Sequence, residues 1–337
     1  MPRKTFRKKI TTEEIIENIS KENKMLVKMF LNNKNAKCSD DTITNYESDL
    51  NIYFCYNYLY NDNKSFIKTK KIELAQFFDY GLLDLKWSGN RYSRIRSLMR
   101  SFSTFICDFL DEDYPEFKNL IDKAVPKVPK VPVRKKTILM PEQVYSLRDK
   151  LMEEGKMCQA TYLMLLASSG SRMKESLRIN VDMIDENNTA FGDLFLETTD
   201  ELKTKGHGKN GTMMTRFLIK DVFLPMYNQW MPIREEIMKR NNQDHLEMFI
   251  KNDGTPIKES TVRSWIINWE KILGINLYAH AFRHFIVSDL SRKNCSSDFI
   301  VAVMKWKTAD MVNIYNDLED KDKKWKEIDK LKDVFKE

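Results

Sequence analysis

Four histidines and five cysteines are spread over 337 residues, and that scarcity excludes a good deal. The cysteines (Cys38, Cys55, Cys107, Cys158 and Cys295) are odd in number and lack paired spacing, so neither a disulfide framework nor a zinc knuckle is supported. A reducing compartment is expected. His280 and His284 have the i, i+4 spacing of a zinc helix, but Ala281 stands where the metalloprotease pattern needs Glu, and Arg283 would hold a positive charge between the two ligands. His207 and His245 lie in polar stretches without nearby cysteines, so no metal site is expected. No apolar run approaches the ~20 residues of a membrane span, and the basic N-terminus is not followed by the apolar core of a signal peptide. The expectation is a chain of the cytoplasm with no membrane partner.

What is present describes a globular chain: 42% hydrophobic and 31% charged residues, with length enough for two or three domains. A net charge of +7 favours a polyanionic partner. Residues 1–10 carry Arg3, Lys4, Arg7, Lys8 and Lys9 and no acid, which reads as a flexible basic arm over 1–20. Helical periodicity then begins, with Met25, Leu26, Met29, Phe30 and Leu31 on one apolar face and a break in the Asn/Lys cluster at 32–37. Ser39-Asp40-Asp41-Thr42 supplies N-cap candidates for a helix through Ile43, Tyr46, Leu50, Tyr53 and Phe54, ending near Asn57. Two further helices follow, near Ile72–Tyr80 and Tyr92–Leu110. The second and its approach bring Arg91, Arg94, Arg96 and Arg100 together beside hydroxyls, as a solvated charged face or as a track for a phosphate backbone.

The clearest boundary is 124–136, where Pro126, Pro129 and Pro132 forbid a regular helix and favour an extended strap. Its Lys127, Lys130, Lys135 and Lys136 would meet a polyanion if the strap crosses one. Beyond it, Thr137-Ile-Leu-Met precedes Pro141-Glu142, and 155–168 reads as a buried helix ended by Ser169-Gly170-Ser171. Arg172 and Glu175 share a face of the next short helix. Thr189–Thr199 and Thr212–Ile219 read as two strands of a hairpin joined by a turn rich in lysine and glycine.

The stretch that organises the chain is His280-Ala281-Phe282-Arg283-His284. On a helix, residues three and four apart share a face, so His280, Arg283 and His284 project together, and the apolar Phe282, Phe285, Ile286, Val287 and Leu290 bury the rest. In isolation, a His with an Arg one turn on is an ordinary satisfied pair. Its company changes the reading. An amphipathic helix over 297–305 leads to Trp306, and Tyr315 stands nine residues further on.

This joint pattern resembles the tyrosine recombinase (phage integrase) family, whose signature is His-x-x-Arg-His, then His or Trp, then the nucleophilic Tyr. The resemblance covers the chain from about residue 20 to its end. Arg172 and Glu175 resemble the family's Gly-x-Arg-x-x-Glu box. Lys305 is a departure, standing where the family usually has Gly, and it puts the local turn in question.

The resemblance implies a mainly α chain: a helical core-binding (SAM-like) domain over 21–123, a linker over 124–136, and an α-rich catalytic domain over 137–337 with a small antiparallel sheet and a tail helix at 321–337. It implies Tyr315 as nucleophile, forming a 3′-phosphotyrosyl link, and Arg172 and Arg283 as phosphate clamps. His280 and Trp306 would be hydrogen-bond donors, with His280 alternatively accepting the phenol proton, and Glu175 and His284 would support them. Lys205 is the chosen catalytic lysine, with Lys203 and Lys209 open alternatives. Arg91, Arg94, Arg100, Lys127, Lys130, Lys135 and Lys136 are the expected DNA contacts. No cofactor is implied, and the partners are a double-stranded recombination site and a homotetramer on two duplexes. A type IB topoisomerase-like strand transferase and a non-catalytic DNA-binding protein on the same scaffold are the alternatives.

Overall fold

The computed structural model describes residues 10–128, 137–204, 206 and 211–316. These fall into two compact units, one built from residues 10–128 and the other from 137–204 and 212–316. Lys130, Lys135, Lys136, Lys205, Lys209, residues 1–9 of the basic arm and the tail helix lie outside the described residues.

The first unit is all helical: α1 (Glu13–Asn18), α2 (Lys21–Asn35), α3 (Asp40–Tyr60), α4 (Lys71–Leu83), α5 (Gly89–Phe109) and the single turn α6 (Ile121–Ala124). Short polar side chains start several of them. The hydroxyls of Thr12, Ser20 and Ser88 accept from the backbone N–H three residues on, satisfying a donor the helix leaves unpaired.

The core is aromatic. Phe30, Tyr53, Phe54, Phe66, Phe77 and Phe102 are fully buried, and they meet mostly edge to face, as in the 5.3 Å Phe30–Phe102 and 5.1 Å Tyr53–Phe77 pairs. Two buried amides tie a loop to this core. Asn23 and Asn57 both donate to the Lys64 carbonyl, and Asn23 also accepts from the Phe66 N–H.

That network explains one departure from expectation. Asn57 does not end α3, because its Nδ2 finds the Lys64 carbonyl inside the unit and the helix runs on to Tyr60. On α2 the buried stripe is Leu26 and Phe30, whereas Met25 and Met29 are exposed, since a stripe only about 100° wide faces the core. Arg96 is not on the polar face of α5. It is buried, donating to the Val125 carbonyl and pairing with Asp122 at 2.7 Å.

In the second unit, α7 (Pro141–Glu153) begins at its proline, and the described residues just before it, 137–140, form no strand; Leu139 is buried. The helix α8 (Met157–Ser169) is apolar on all sides and lies at the centre of its unit, packed by α7, by α10 (Lys220–Arg240) and by α12 (Ala281–Arg292). The remaining helices are α9 (Met173–Ser176), α11 (Glu259–Leu273), α13 (Ser297–Met304) and α14 (Asp310–Tyr315).

The two stretches expected to form a hairpin do pair, but as parts of two small sheets. One has the order β1 (Thr189–Ala190), β2 (Phe195–Glu197), β5 (Phe217–Ile219); the other pairs β3 (Leu202–Thr204) with β4 (Thr212–Met214). Both are antiparallel, with Phe195 opposite Ile219 and Thr204 opposite Thr212. The stretch 189–199 folds back on itself at Phe191-Gly192-Asp193, all with φ between 54° and 69°, which turns one predicted strand into two.

Gly81 offers a test of the first unit. A Cβ there would stand 2.3 Å from the Trp87 ring, which itself packs edge-on against Phe77 and Phe78. Gly81→Ala should therefore cost about 1–3 kcal/mol by overpacking, read as a lower urea midpoint; unchanged stability would show that the ring moves freely.

Candidate active site

The site assembles around Arg283. This guanidinium is 2% exposed and donates from Nη1 to the Gly170 carbonyl at 3.0 Å. Gly170 can sit there because it caps α8 at φ 56°, and an added Cβ would meet Ile286 Cγ2 at 2.6 Å. On its other side Arg283 faces two rings, with its Cζ 5.1 Å from the Trp306 centroid and 5.5 Å from that of Tyr315. Those rings stack on one another at 5.1 Å and 27°.

Tyr315 closes α14 and is buried, with its hydroxyl 2.8 Å from His280 Nε2. His280 occupies the N-cap position of α12 and His284 lies one turn on, its ring 4.8 Å from that of Tyr315. The predicted face of α12 is thus gathered on the phenol.

Arg172 caps α9 and donates from Nη1 to Glu175 Oε1 at 2.7 Å. Glu175 is almost fully buried, and its other oxygen accepts from Arg216 at 2.9 Å. Burial works against ionising this carboxyl, but the charge of Arg216 and the hydrogen bond and charge of Arg172 outweigh it and hold its pKa below the ordinary range. Arg216 carried no motif. Its one signal was a cation inside the apolar run Met213–Ile219, where a charge needs a buried partner.

His280 keeps an open edge, yet lost hydration, then the charges of Arg283, His284 and Arg172, push its pKa from the ordinary 6.5 to about 4, with Glu175 opposing. Arg283 is lowered to about 10, first by burial and then by Arg172. Its Nε and the Trp306 Nε1 are buried donors with no hydrogen-bond partner, so the cluster presents N–H groups suited to acceptor oxygens.

Lys305 makes the turn that glycine would. Its φ is 50°, its N–H closes on the Ala302 carbonyl, and Trp306 N–H bonds the Val301 carbonyl as the helix ends. The side chain compensates for the backbone. Its Nζ bonds Glu197 Oε1 at 2.8 Å and Thr215, and lies 4.3 Å from the Phe217 centroid.

Of the candidate lysines, Lys203 is an exposed residue of β3, and Lys205 and Lys209 fall outside the described residues. In the first unit, Asp49 holds Arg94 through both oxygens at 2.9 Å and has Arg91 at 3.9 Å, while Arg100 pairs with Asp122 at 3.0 Å; Lys127 is exposed. Arg91 and Arg94 line a cleft of about 700 Å³ with Asn45, Ser48 and Asn90.

Two measurements check this geometry. Lys305→Ala keeps the left-handed strain of ~1 kcal/mol or more and loses the ion pair, whereas Lys305→Gly loses the pair and removes the strain. Lys305→Gly should therefore be the more stable by about 1 kcal/mol in chemical denaturation, and equal stabilities would contradict the turn. For His280, the folded pKa lies below the unfolded one. As pH falls from about 6.5 toward about 4 the unfolded chain gains the proton first, so this ring subtracts stability in that window and has no effect above it. Its ring nitrogens should titrate near pH 4 by NMR in the DNA-free protein, and a midpoint above about 6 would contradict the electrostatics described.

The family model for the phage integrase family matches residues 137–322. No curated protein matches the sequence. Among solved structures, the chain is similar in fold to the Tn1549 transposon integrase in complex with circular intermediate DNA, at 14% identity and TM-score 0.63, covering 92% of this chain and 99% of that one. It is also similar to the XerH site-specific recombinase bound to palindromic difH substrate, at 14% identity and TM-score 0.62 over 96% of this chain and 88% of that one. A lambda integrase tetramer bound to a Holliday junction matches at 13% identity and TM-score 0.62, over 90% and 80%. The residues matched by the family model make up more than half of the chain, so it belongs to the phage integrase family, the site-specific recombinases that cleave and rejoin DNA strands.

Proposed function

We propose that Tyr315 is the nucleophile of this recombinase and that Arg172, His280, Arg283 and Trp306 form the pocket for the scissile phosphate. The observation that carries this is the 2.8 Å approach of His280 Nε2 to the Tyr315 hydroxyl, beside a buried guanidinium that touches the same ring. With the imidazole neutral near pH 7, Nε2 can accept the phenol proton as the oxygen attacks phosphorus. The new O–P bond is the 3′-phosphotyrosyl link. The bond that breaks releases the 5′-oxygen, which takes a proton from a lysine of the 203–209 stretch, with Lys205 our assignment.

Charge decides what the pocket prefers. Arg172, Arg216 and Arg283 bring three positive charges, and Glu175 cancels one. A phosphodiester carries one negative charge and its five-coordinate transition state approaches a second, so the excess suits the transition state better than the ground state. The Trp306 Nε1 and Arg283 Nε donors supply direction as well as charge. Because the covalent link retains the energy of the broken bond, rejoining to another strand needs no ATP.

In this reading Arg91, Arg94, Arg100 and Lys127 of the first unit, with Lys130, Lys135 and Lys136, contact the DNA backbone. Asp49 holds the Arg94 fork in one orientation without cancelling both of the arginines around it. The active assembly is a homotetramer on two duplexes, by analogy with the lambda integrase tetramer, with the 321–337 segment docking on the neighbouring protomer.

The test is a covalent adduct with recombination-site DNA that survives denaturation. Tyr315→Phe should abolish it and leave DNA binding intact; an adduct that persists would assign the nucleophile elsewhere, with Tyr278 the first rival. Arg172→Ala and Arg283→Ala should each slow adduct formation by ~10²-fold or more, and wild-type rates in either would refute the phosphate pocket.

A further inference from the structure

We infer that Arg216 is a positioning residue for the catalytic arginine Arg172, acting through Glu175. The inference rests on the strand-cleavage reading above and extends it to a residue outside the recombinase signature. Arg216 sits in the link between β4 and β5, is 5% exposed, and donates to a carboxylate that is itself 1% exposed.

The geometry is a chain of three, Arg216–Glu175–Arg172, with the carboxylate in the middle. Arg172 is the outer member: its side chain is 32% exposed, against 6% for Arg216. Glu175 orients Arg172 twice over, accepting from its backbone N–H at 3.2 Å and from Nη1 at 2.7 Å. That service has a cost. A carboxylate in contact with Arg172 would neutralise the charge that the phosphate is meant to meet. A second guanidinium on the other oxygen restores it, leaving the trio with one net positive charge while the carboxylate still fixes the Arg172 fork.

Arg216 is itself held from behind. Its backbone N–H donates to Thr198 Oγ1 at 2.9 Å, and its carbonyl accepts from the Thr198 N–H at 2.9 Å, so its stem is anchored beside the three-stranded sheet. The neighbouring Thr215 bonds Glu197 and Lys305, and Lys305 precedes Trp306. One short link between strands thus bears on both the Arg172 side of the pocket and the segment that carries the nucleophile.

A buried cation that only stabilised the fold would affect every property of the protein together. A positioning role through Arg172 makes narrower demands. Adduct formation in a single turnover on recombination-site DNA, DNA affinity by titration, and thermal unfolding are measured for Arg216→Met, Arg216→Lys and Arg172→Ala, and for each Arg216 variant combined with Arg172→Ala.

Arg216→Met should slow adduct formation by about 10- to 100-fold with site affinity within about twofold, as expected when a catalytic group is misplaced rather than removed. Arg216→Lys, which keeps the cation, should recover part of that rate. In the Arg172→Ala background neither Arg216 variant should slow the reaction further, since residues that act as one unit are not additive.

A wild-type rate in Arg216→Met, or a full additional loss in the Arg172→Ala background, overturns the inference. Should Arg216→Met fail to fold, Arg216→Lys decides: slowing that vanishes in the Arg172→Ala background supports the role, and no slowing, or slowing that persists there, refutes it. A wild-type chain that forms no adduct at all overturns both this inference and the strand-cleavage reading, whereas a wild-type adduct with additive losses overturns this one alone.

Discussion

A buried guanidinium is the constraint from which the catalytic half follows. Arg283 has almost no contact with water, and a cation so placed must be given acceptors, π-faces or counter-charges. It receives a carbonyl from Gly170, at the end of α8, and two aromatic faces from Trp306 and Tyr315, at the end of α13 and on α14. Three segments distant in sequence are thereby tied to one side chain of α12. The left-handed cap at Gly170 serves the same purpose, because a side chain there would push Ile286, and with it α12, away from α8.

The second consequence is electrostatic. Positive charge is concentrated at the site beyond what Glu175 can cancel, and the pKa values of its members register the strain. Arg283 is pulled down to about 10 and His280 to about 4, burial being the first cause in each and neighbouring cations the second. Such a site is poorly satisfied alone and well satisfied by an anion. The unpartnered buried N–H groups of Trp306 and Arg283 point to the same conclusion by hydrogen bonding instead of charge. An arrangement of this kind is suited to an anion that brings both negative charge and acceptor oxygens.

Lys305 shows how a residue other than glycine can make a left-handed turn. The turn after α13 requires a left-handed residue, and glycine meets that requirement at no steric cost. Here a lysine meets it, with an ion pair to Glu197 and a contact on Phe217 offsetting the backbone penalty. The substitution converts a passive turn into a tether between the Trp306 segment and the small sheet.

Sequence by itself determined the helical character of both units and marked Arg172, Glu175, His280, Arg283, Trp306 and Tyr315 as the candidates. Helical periodicity and the spacing inside each short motif are local, written in residues a few positions apart. Position in the interior was decided only by tertiary structure. Asn57 reads as a helix breaker until the Lys64 carbonyl is placed beside it, Arg96 reads as a surface charge until Asp122 and Val125 meet it, and Met29 reads as core until α2 is seen to bury Phe30 instead. Arg216 was silent for the same reason, since its meaning lies in a carboxylate 41 residues away in sequence and 2.9 Å away in space. A buried charge or amide is defined by its partner, and the partner is chosen by packing that no short stretch of sequence contains.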